Sequence, residues 1–410
     1  MIYLALLTTF IEFLSLEFFG YFLSPELTVY PYLYSHGLTP FRYILDQHPP
    51  LIFFGPFSLP EFLVSSPYGL FALWIILLFL INILILKYNS KDAYLRMLGV
   101  LAIWLFFSGR TFWTDTFLLF FLLGTLTLTP FLRGIFSAFI FLLKPTLIPL
   151  SIISFFRQKD KKIIYLFGFL IPISIIILFL YKQNLFQDMK YYVFDFNKSI
   201  YLDLAKKLPS PKELLVPLVL VVLLIRQIKF KDLLFSLFAA SPVFPRFEYF
   251  HLIPALTLLV VFADFKSPLK KVTIVIFSVI LLMGIKKIYL NPVGNFYLNQ
   301  DLLQTVEYLN KDSSQTLYVL GAGDLLYPMT KRTPPGGVYL PSLPWYLEDQ
   351  KSMDKLISAL ASSPSTTVVV RPDATLAGVR IILNSRIYKL IESNYHQVAT
   401  VGGNFIYQRL

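Results

Sequence analysis

The chain contains no cysteine among its 410 residues, which excludes disulfide bonds, thiolate metal sites and cysteine nucleophiles. Charged residues are also scarce. They make up 15% of the sequence, whereas hydrophobic residues make up 56% and the mean hydropathy is +0.66. A single soluble core cannot bury this much apolar surface. The composition therefore predicts an integral membrane protein.

The net charge of +12 does not by itself indicate a nucleic-acid partner. The Lys and Arg residues lie mainly in short clusters between apolar runs, a pattern typical of loops that face an anionic cytoplasmic leaflet. We therefore attribute the positive charge to membrane topology and expect no nucleic acid to bind.

Eleven apolar runs approach the 17 to 25 residues or so that a spanning helix needs. They cover residues 2–22, 69–87, 94–108, 115–130, 134–144, 146–156, 163–182, 213–226, 231–245, 250–265 and 272–288. The two runs beside Lys144-Pro145-Thr146 are too short to cross alone and predict a broken hairpin that lines a polar cavity. We therefore expect about 9 to 11 transmembrane helices. Because the first run lacks a basic start and a cleavage site, we expect it to be a retained helix rather than a signal peptide.

The basic clusters predict the orientation of the chain. With eleven spans, four clusters fall on one side, which the positive-inside rule makes cytoplasmic: Lys87, Lys91 and Arg96; Arg157, Lys159, Lys161 and Lys162; Arg226, Lys229 and Lys231; and Lys266, Lys270 and Lys271. The extracytoplasmic side then carries residues 23–60, 108–115, 183–212 and the C-terminus. Lys286 and Lys287, at the outer end of the last run, depart from the rule.

The composition changes to that of a soluble chain after residue 288. We predict a multi-pass membrane domain over residues 1–288 and a small extracytoplasmic α/β domain over residues 289–410. The patterns in the second domain indicate helices at 302–309 and 351–360, strands at 316–320 and 367–370, and a hairpin at 397–409. Gly321-Ala322-Gly323-Asp324 lacks the third glycine of a dinucleotide fingerprint, so it predicts a turn and a helix cap.

The first outward loop, residues 23–60, carries the residues most suited to chemistry. Glu26 follows the first membrane helix, where desolvation raises the pKa of a carboxyl toward that of a working base, and it is also a possible metal ligand. Arg42 and His48 are candidates for holding a phosphate, and Pro49-Pro50 stiffens the return of the chain to the membrane. An ordinary interfacial loop with capping residues and solvated charges is the alternative.

This loop resembles that of the membrane glycosyltransferases of the C-type fold, which include lipid A aminoarabinose transferases, protein mannosyltransferases and oligosaccharyltransferase catalytic subunits. When the tyrosine of the family's Asp-Glu-Gly-x-Tyr motif is placed on Tyr30, its first acidic position falls on Glu26. The second falls on Leu27 and the glycine on Thr28, which are departures. The family's next motif is similar in register, apart from Tyr43 where Asp is usual, at Pro40, Phe41, Arg42, Asp46, His48, Pro49, Pro50 and Leu51.

Three later segments extend the resemblance. Residues 110–115 resemble the family's second acidic site, residues 141–146 its Leu-x-Lys-x-Thr segment, and residues 245–254 its Arg-x-x-x-His-Tyr region. Such enzymes take a sugar from a polyprenyl phosphate at the outer membrane face, where the leaving phosphate needs cations and the acceptor hydroxyl needs a base. The resemblance therefore implies an inverting transferase that moves this sugar to a lipid, glycan or protein acceptor.

The resemblance also assigns roles to individual residues. Glu26 is the expected base, with Asp46 and Asp115 as supporting carboxylates. The candidates for binding the donor phosphate are Arg42, His48, Lys144, Arg246 and His251. A divalent ion serves some relatives and not others; if one takes part, Glu26 and Asp115 are its expected ligands.

Other interpretations stay open at this stage. Lys144 is a functional intramembrane cation or a residue that snorkels from a short helix end. Arg246 and His251 are interfacial anchors as an alternative to phosphate ligands, and Asp115 is a cap of the fourth helix as an alternative to a site residue. At the level of function, the competing hypothesis is a non-catalytic or degenerate relative that binds or transports polyprenyl-linked sugars.

Overall fold

The structure is a computed structural model that describes residues 1–53, 67–158, 161–266, 269–291, 299–312, 314–376, 379–380 and 385–409. Lys159 of the second basic cluster and residues 54–60 of the first predicted loop lie outside the described residues. The chain divides into two compact units. The first comprises Met1–Leu23, Phe71–Phe179 and Lys206–Gly294, and the second comprises Ser24–Leu70, Leu180–Ala205 and Asn295–Leu410.

The first unit is helical. Each of the eleven predicted apolar runs coincides with a helix, although several helices are shorter than the runs. Their bounds are Ile2–Phe19, Pro67–Tyr88, Ala93–Phe106, Thr114–Thr127, Pro130–Leu143, Ile148–Phe156, Lys162–Lys182, Pro211–Ile225, Phe230–Ala239, Ile253–Phe262 and Leu269–Leu290. Phe22–Leu23 and Thr111–Phe112 form a short parallel pair of strands, and 3-10 turns cover Pro145–Leu147, Ser241–Val243 and Tyr249–Leu252.

Four helices in the described part of the chain are long and apolar enough to cross a membrane, namely Ile2–Phe19, Tyr68–Tyr88, Lys162–Lys182 and Leu269–Leu290. Large apolar side chains such as Phe167 and Ile175 are exposed along them, as expected of a helical membrane protein. The other apolar helices have 10–17 residues, and a helix of 14 residues extends only about 21 Å, less than a hydrocarbon core of about 30 Å. Four full-length spans are fewer than the predicted 9 to 11.

The break predicted at Lys144 is confirmed. The helix Pro130–Leu143 ends there, Lys144 is extended at φ −143°, and a 3-10 turn at Pro145–Leu147 leads into the next helix. Proline at this point removes a backbone donor and stops the preceding helix. The break places the Lys144 ammonium beside a carboxylate of the same unit, as described below.

Two glycines allow helices of the first unit to approach closely. A Cβ added at Gly168 would lie 2.1 Å from the carbonyl oxygen of Phe131, and one at Gly134 would lie 2.0 Å from that of Tyr165. Small residues at helix crossings are typical of packing in membranes, where the helix backbones must come close to gain van der Waals contact. The close contact between the helices Pro130–Leu143 and Lys162–Lys182 therefore requires both glycines.

The second unit carries the predicted α/β elements. Its sheet has four strands in the order Thr316–Leu320, Thr366–Val370, Asn404–Arg409 and Tyr395–Val401, of which the first two are parallel. The predicted hairpin is confirmed, with its turn at Gly402-Gly403. Thr375–Leu376 pairs with Val379–Arg380. The helices of this part include the predicted pair, Gln300–Leu309 and Gln350–Ala361. Three further helices are Leu326–Thr330, Pro344–Leu347 and Arg386–Asn394, and a 3-10 turn covers Pro335–Gly337.

Two earlier segments join this C-terminal part, which the boundary predicted at residues 288 and 289 did not anticipate. The first contains a helix at Pro25–Ser35 and a 3-10 turn at Pro50–Phe53. The second contains Phe186–Lys190, a π-helix at Tyr191–Tyr201 and Leu202–Leu204. The region predicted as the first outward loop is therefore partly helical and belongs to the same unit as the C-terminal sheet.

Candidate functional site

Glu26 lies in the first turn of the helix Pro25–Ser35. Ser24 is extended before the helix and Pro25 occupies its first position, where the missing N–H costs nothing. Proline at the first position and an acidic residue in the first turn are typical of a helix start. The sequence therefore contained a signal for this helix, which the prediction of a loop overlooked. The helix buries Glu26, which keeps only 8% of its surface exposed.

Asp46 is held by four hydrogen bonds. Its Oδ1 accepts from the backbone N of His48 at 2.7 Å and from Nδ1 of the same residue at 2.6 Å. Its Oδ2 accepts from the hydroxyl of Tyr30 at 2.5 Å and from that of Tyr346 at 3.0 Å. Burial alone would raise the pKa of Asp46, but the charge and hydrogen bonds of His48 and the Tyr30 hydroxyl outweigh it and hold the pKa below its usual value. Asp46 is therefore an ionised carboxylate.

His48 connects the two acidic residues. Because Nδ1 donates to Asp46, Nε2 is directed to Glu26, whose Oε1 lies 3.8 Å away. Both ring nitrogens thus face carboxylates. A carboxylate that fixes the tautomer of an imidazole is a recurrent way to prepare the second nitrogen for proton exchange. The sequence assigned His48 to the donor phosphate, whereas its position favours moving a proton to or from Glu26.

Glu26 differs from Asp46 in its protonation. Burial raises the pKa of Glu26 to about 7, although His48 acts in the opposite direction. Its Oε2 is buried and has no hydrogen-bond partner among the described residues. Two nearby carboxyl groups whose pKa values are moved apart commonly divide the roles of base and stabilising charge. Glu26 is thus suited to take up a proton near neutral pH, while Asp46 stays charged.

The C-terminal segment adds residues that the sequence did not single out for this site. Asp324 follows the turn at Gly321 and Gly323, both with positive φ, so the predicted turn is confirmed. The helix that follows it, Leu326–Thr330, starts at Leu325 without a side-chain cap. The Asp324 carboxyl instead lies beside the Tyr339 hydroxyl, and its charge acts on Glu26. Burial raises the pKa of Asp324 to about 6.

Arg42 belongs to the same unit but has other partners. Its Nε lies 3.2 Å from Oδ2 of Asp188, and its Nη2 donates to the carbonyl oxygen of Asn184 at 2.6 Å. About a third of its side chain is exposed, 37%. Arg42 therefore joins the first and second segments of the unit.

In the first unit, the structure brings together three predicted residues. Asp115 accepts from Lys144 Nζ at 3.1 Å through Oδ1 and pairs with Nδ1 of His251 at 2.9 Å through Oδ2. Trp113 covers this group, with its ring 5.7 Å from the Lys144 ammonium and 5.3 Å from the imidazole. The residue in the N-cap position of the fourth helix is Trp113, not Asp115. The three predicted residues thus form one buried ionic cluster.

Arg246 lies in a second charged group of the first unit. Its Nη2 is 3.2 Å from Oε1 of Glu248, which also accepts from Lys207 Nζ at 3.1 Å. The backbone segments around Lys207 and Arg246 pair with each other. Beside them is a cavity of about 270 Å³ lined mostly by apolar side chains, including Leu208, Leu237, Val243, Phe244 and Phe247, with Lys207 among the lining residues. A basic group next to an apolar cavity suits an amphiphile with an anionic head.

The metal ligands expected from the resemblance find little support. Among the described residues, no group of three or more His, Asp or Glu side chains is arranged to hold a metal ion. Glu26 and Asp115 also belong to different units. The described donor groups therefore do not fit a divalent ion.

Comparison with protein-family models, with curated proteins and with solved structures finds no match. The site residues thus fall into two groups. Glu26, Asp46 and His48 come together in the second unit and Asp115, Lys144 and His251 in the first.

Proposed function

We propose that this protein is a glycosyltransferase that moves a sugar from a polyprenyl-phosphate-linked donor to a hydroxyl of a lipid, glycan or protein acceptor. The observation that carries the proposal is the position of His48 between the ionised Asp46 and the buried Glu26. This arrangement provides a base with a pKa near 7 next to an oriented imidazole.

In the proposed reaction, the acceptor oxygen forms a bond to the anomeric carbon of the sugar on the face opposite the phosphate. The bond between that carbon and the phosphate oxygen breaks, and polyprenyl phosphate leaves with the electron pair. The proton of the acceptor hydroxyl passes to Glu26. His48 then accepts it from Glu26 and releases it to solvent, since about a fifth of the His48 side chain, 21%, is exposed.

The first unit, taken by itself, carries positive charge in two places. The Lys144 ammonium has three protons, and among the described contacts one is accepted by Asp115. Arg246 and Lys207 lie beside the apolar cavity, which suits an isoprenoid chain. These cations suit the anionic head of a lipid, because a preorganised cation stabilises negative charge.

The four helices that are able to cross a membrane are compatible with a lipid-linked donor. We further propose that they lie in the cell membrane, with the C-terminal segment on the extracytoplasmic side, as the basic clusters predict. Tagging the C-terminus and testing its accessibility in intact cells measures this orientation. A cytoplasmic C-terminus would contradict it.

The test of the reaction is transfer from radiolabelled polyprenyl-phosphate sugars to membrane acceptors by the purified protein. Glu26→Gln, which keeps the size and removes the base, should lower the initial rate by at least about 100-fold. Glu307→Gln is the matched control, because Glu307 is exposed in the same unit. Equal rates in wild type and Glu26→Gln would remove Glu26 from the mechanism. Donor binding without transfer from any donor would favour the carrier or degenerate-relative hypothesis.

A further inference from the structure

Tyr346, near the middle of the C-terminal segment, reaches the two central residues of the candidate site. Its hydroxyl accepts a hydrogen bond from the backbone N of Gln47 at 2.9 Å and donates one to Oδ2 of Asp46 at 3.0 Å. Gln47 is the residue between Asp46 and His48. A single phenol therefore fixes both the carboxylate and the backbone from which the imidazole projects.

The second segment of the unit holds the other side of the same residue. Asn197, in the π-helix Tyr191–Tyr201, donates from Nδ2 to the carbonyl oxygen of Gln47 at 3.2 Å. Phe196 of that helix stacks on the Tyr346 ring, with ring centroids 5.1 Å apart. The backbone of Gln47 is thus bound through its N–H and its C=O by side chains from two distant parts of the chain.

Burial increases the contribution of these hydrogen bonds to the stability of the site. Tyr346 is fully buried and Asp46 is only 1% exposed, so water cannot replace a lost donor, and hydrogen bonds to a buried charge are stronger than those between neutral groups. Burial and the adjacent Asp46 charge raise the pKa of Tyr346 well above its usual value. The phenol therefore keeps its proton at neutral pH and remains a donor to Asp46.

We propose that Tyr346 is a positioning residue that holds Asp46 and His48 in the relation on which proton transfer depends. Its effect on transfer rests on the function proposed above, while its effect on His48 does not. The C-terminal segment is then a part of the site and not a separate binding module.

The experiment uses the four histidines of the full chain. Protein labelled with ¹⁵N-histidine is titrated by NMR, and His48 is assigned by the signal lost in His48→Gln. Tyr346→Phe keeps the ring and removes the hydroxyl, so Asp46 loses one of its donors and attracts the imidazole proton more strongly. The midpoint of the His48 titration should rise by about half a pH unit, and kcat for transfer should fall about tenfold with little change in KM.

Tyr388→Phe is the matched control, because the Tyr388 hydroxyl contacts Tyr407 elsewhere in the same unit; it should leave His48 unchanged. An unchanged His48 midpoint in a folded Tyr346→Phe protein would overturn the proposal. If Tyr346→Phe does not fold, 3-fluorotyrosine at position 346, a stronger donor, should lower the His48 midpoint, and no change would again overturn it. A shifted His48 without transfer in any form of the protein would refute the proposed function and leave this inference standing.

Discussion

The Nδ1 of His48 donates to Oδ1 of Asp46 over 2.6 Å, although the two residues are only two positions apart in the chain. The backbone N of His48 donates to the same oxygen. One carboxylate therefore fixes both the position of the histidine backbone and the tautomer of its ring. The proposed proton exchange between Nε2 and Glu26 depends on that tautomer.

The first prediction concerns this pair. Asp46→Asn replaces the carboxylate by an amide that holds the imidazole less strongly and does not stabilise its charged form. Transfer should fall by a factor of about 100 or more, measured as the initial rate with saturating donor. Asp195→Asn, which changes an exposed carboxylate of the same unit, should have no effect. Equal losses in both variants would contradict a specific role for Asp46.

The second prediction concerns the pH dependence of stability. The pKa of Glu26 is about 7 in the folded protein and about 4.5 in an unfolded chain. Between these values the folded state binds more protons, so the free energy of unfolding should fall as the pH rises from about 4.5 to about 7 and then level off. Glu26 should contribute on the order of 3 kcal/mol to this fall in the free energy of unfolding.

Glu26→Gln should remove this part, so the variant should lose less stability than wild type between pH 5 and pH 8. Unfolding in detergent, followed by circular dichroism at both pH values, measures the difference. Glu307→Gln, an exposed position, should behave like wild type. A variant with the full wild-type loss would show that Glu26 ionises at its ordinary pKa.

The third prediction concerns the cluster of Asp115, Lys144 and His251. Asp115→Ala leaves the largely buried Lys144 without its carboxylate, which should lower the free energy of unfolding by about 3 kcal/mol. In the double variant, Lys144→Met removes the uncompensated charge that Asp115→Ala leaves, and it should recover about 1 kcal/mol or more of the lost free energy of unfolding. Chemical denaturation of wild type, the two single variants and the double variant gives the free energies of a double-mutant cycle. Additive effects would mean that the pair does not interact.

The fourth prediction concerns the crossing at Gly168. In Gly168→Ala, the new Cβ meets the backbone of Phe131 at 2.1 Å; because backbone atoms cannot turn aside, the helices must separate, at a cost of about 3 kcal/mol. Gly99→Ala is the comparison, since the three atoms nearest its Cβ belong to the side-chain ring of Phe277 and not to backbone, and it should cost less. Thermal unfolding measures both. A Gly168→Ala protein as stable as wild type would show that the crossing tolerates a wider spacing.

Local patterns in the sequence predicted the elements better than they predicted the site. Hydrophobic runs located the eleven α-helices that the structure describes in the first unit, and apolar runs rich in Val, Thr and Leu located the strands Thr316–Leu320 and Thr366–Val370. Helix length was overestimated, because apolar residues continue beyond the helix ends into buried turns such as Phe107 and Ala263.

The contacts that build the site have no local signal. Asp46 and Tyr346 are 300 residues apart, and nothing in the residues around Tyr346 distinguishes it from the other 24 tyrosines of the chain. The pairing of Asp115 with Lys144 and His251 likewise depends on tertiary packing. The sequence could identify these residues by type, but not choose their partners.

The assembly of the second unit from three separate segments has a consequence for the order of events during synthesis. Glu26, Asp46 and His48 leave the ribosome among the first residues, but the Tyr346 that holds them is made 300 residues after Asp46. At about 5 to 20 residues per second, that interval lasts on the order of 15 to 60 s. During that time Asp46 and the backbone of Gln47 lack their hydrogen bonds to Tyr346, so the site is incomplete until the final third of the chain has emerged, and a chain terminated before Tyr346 never completes it.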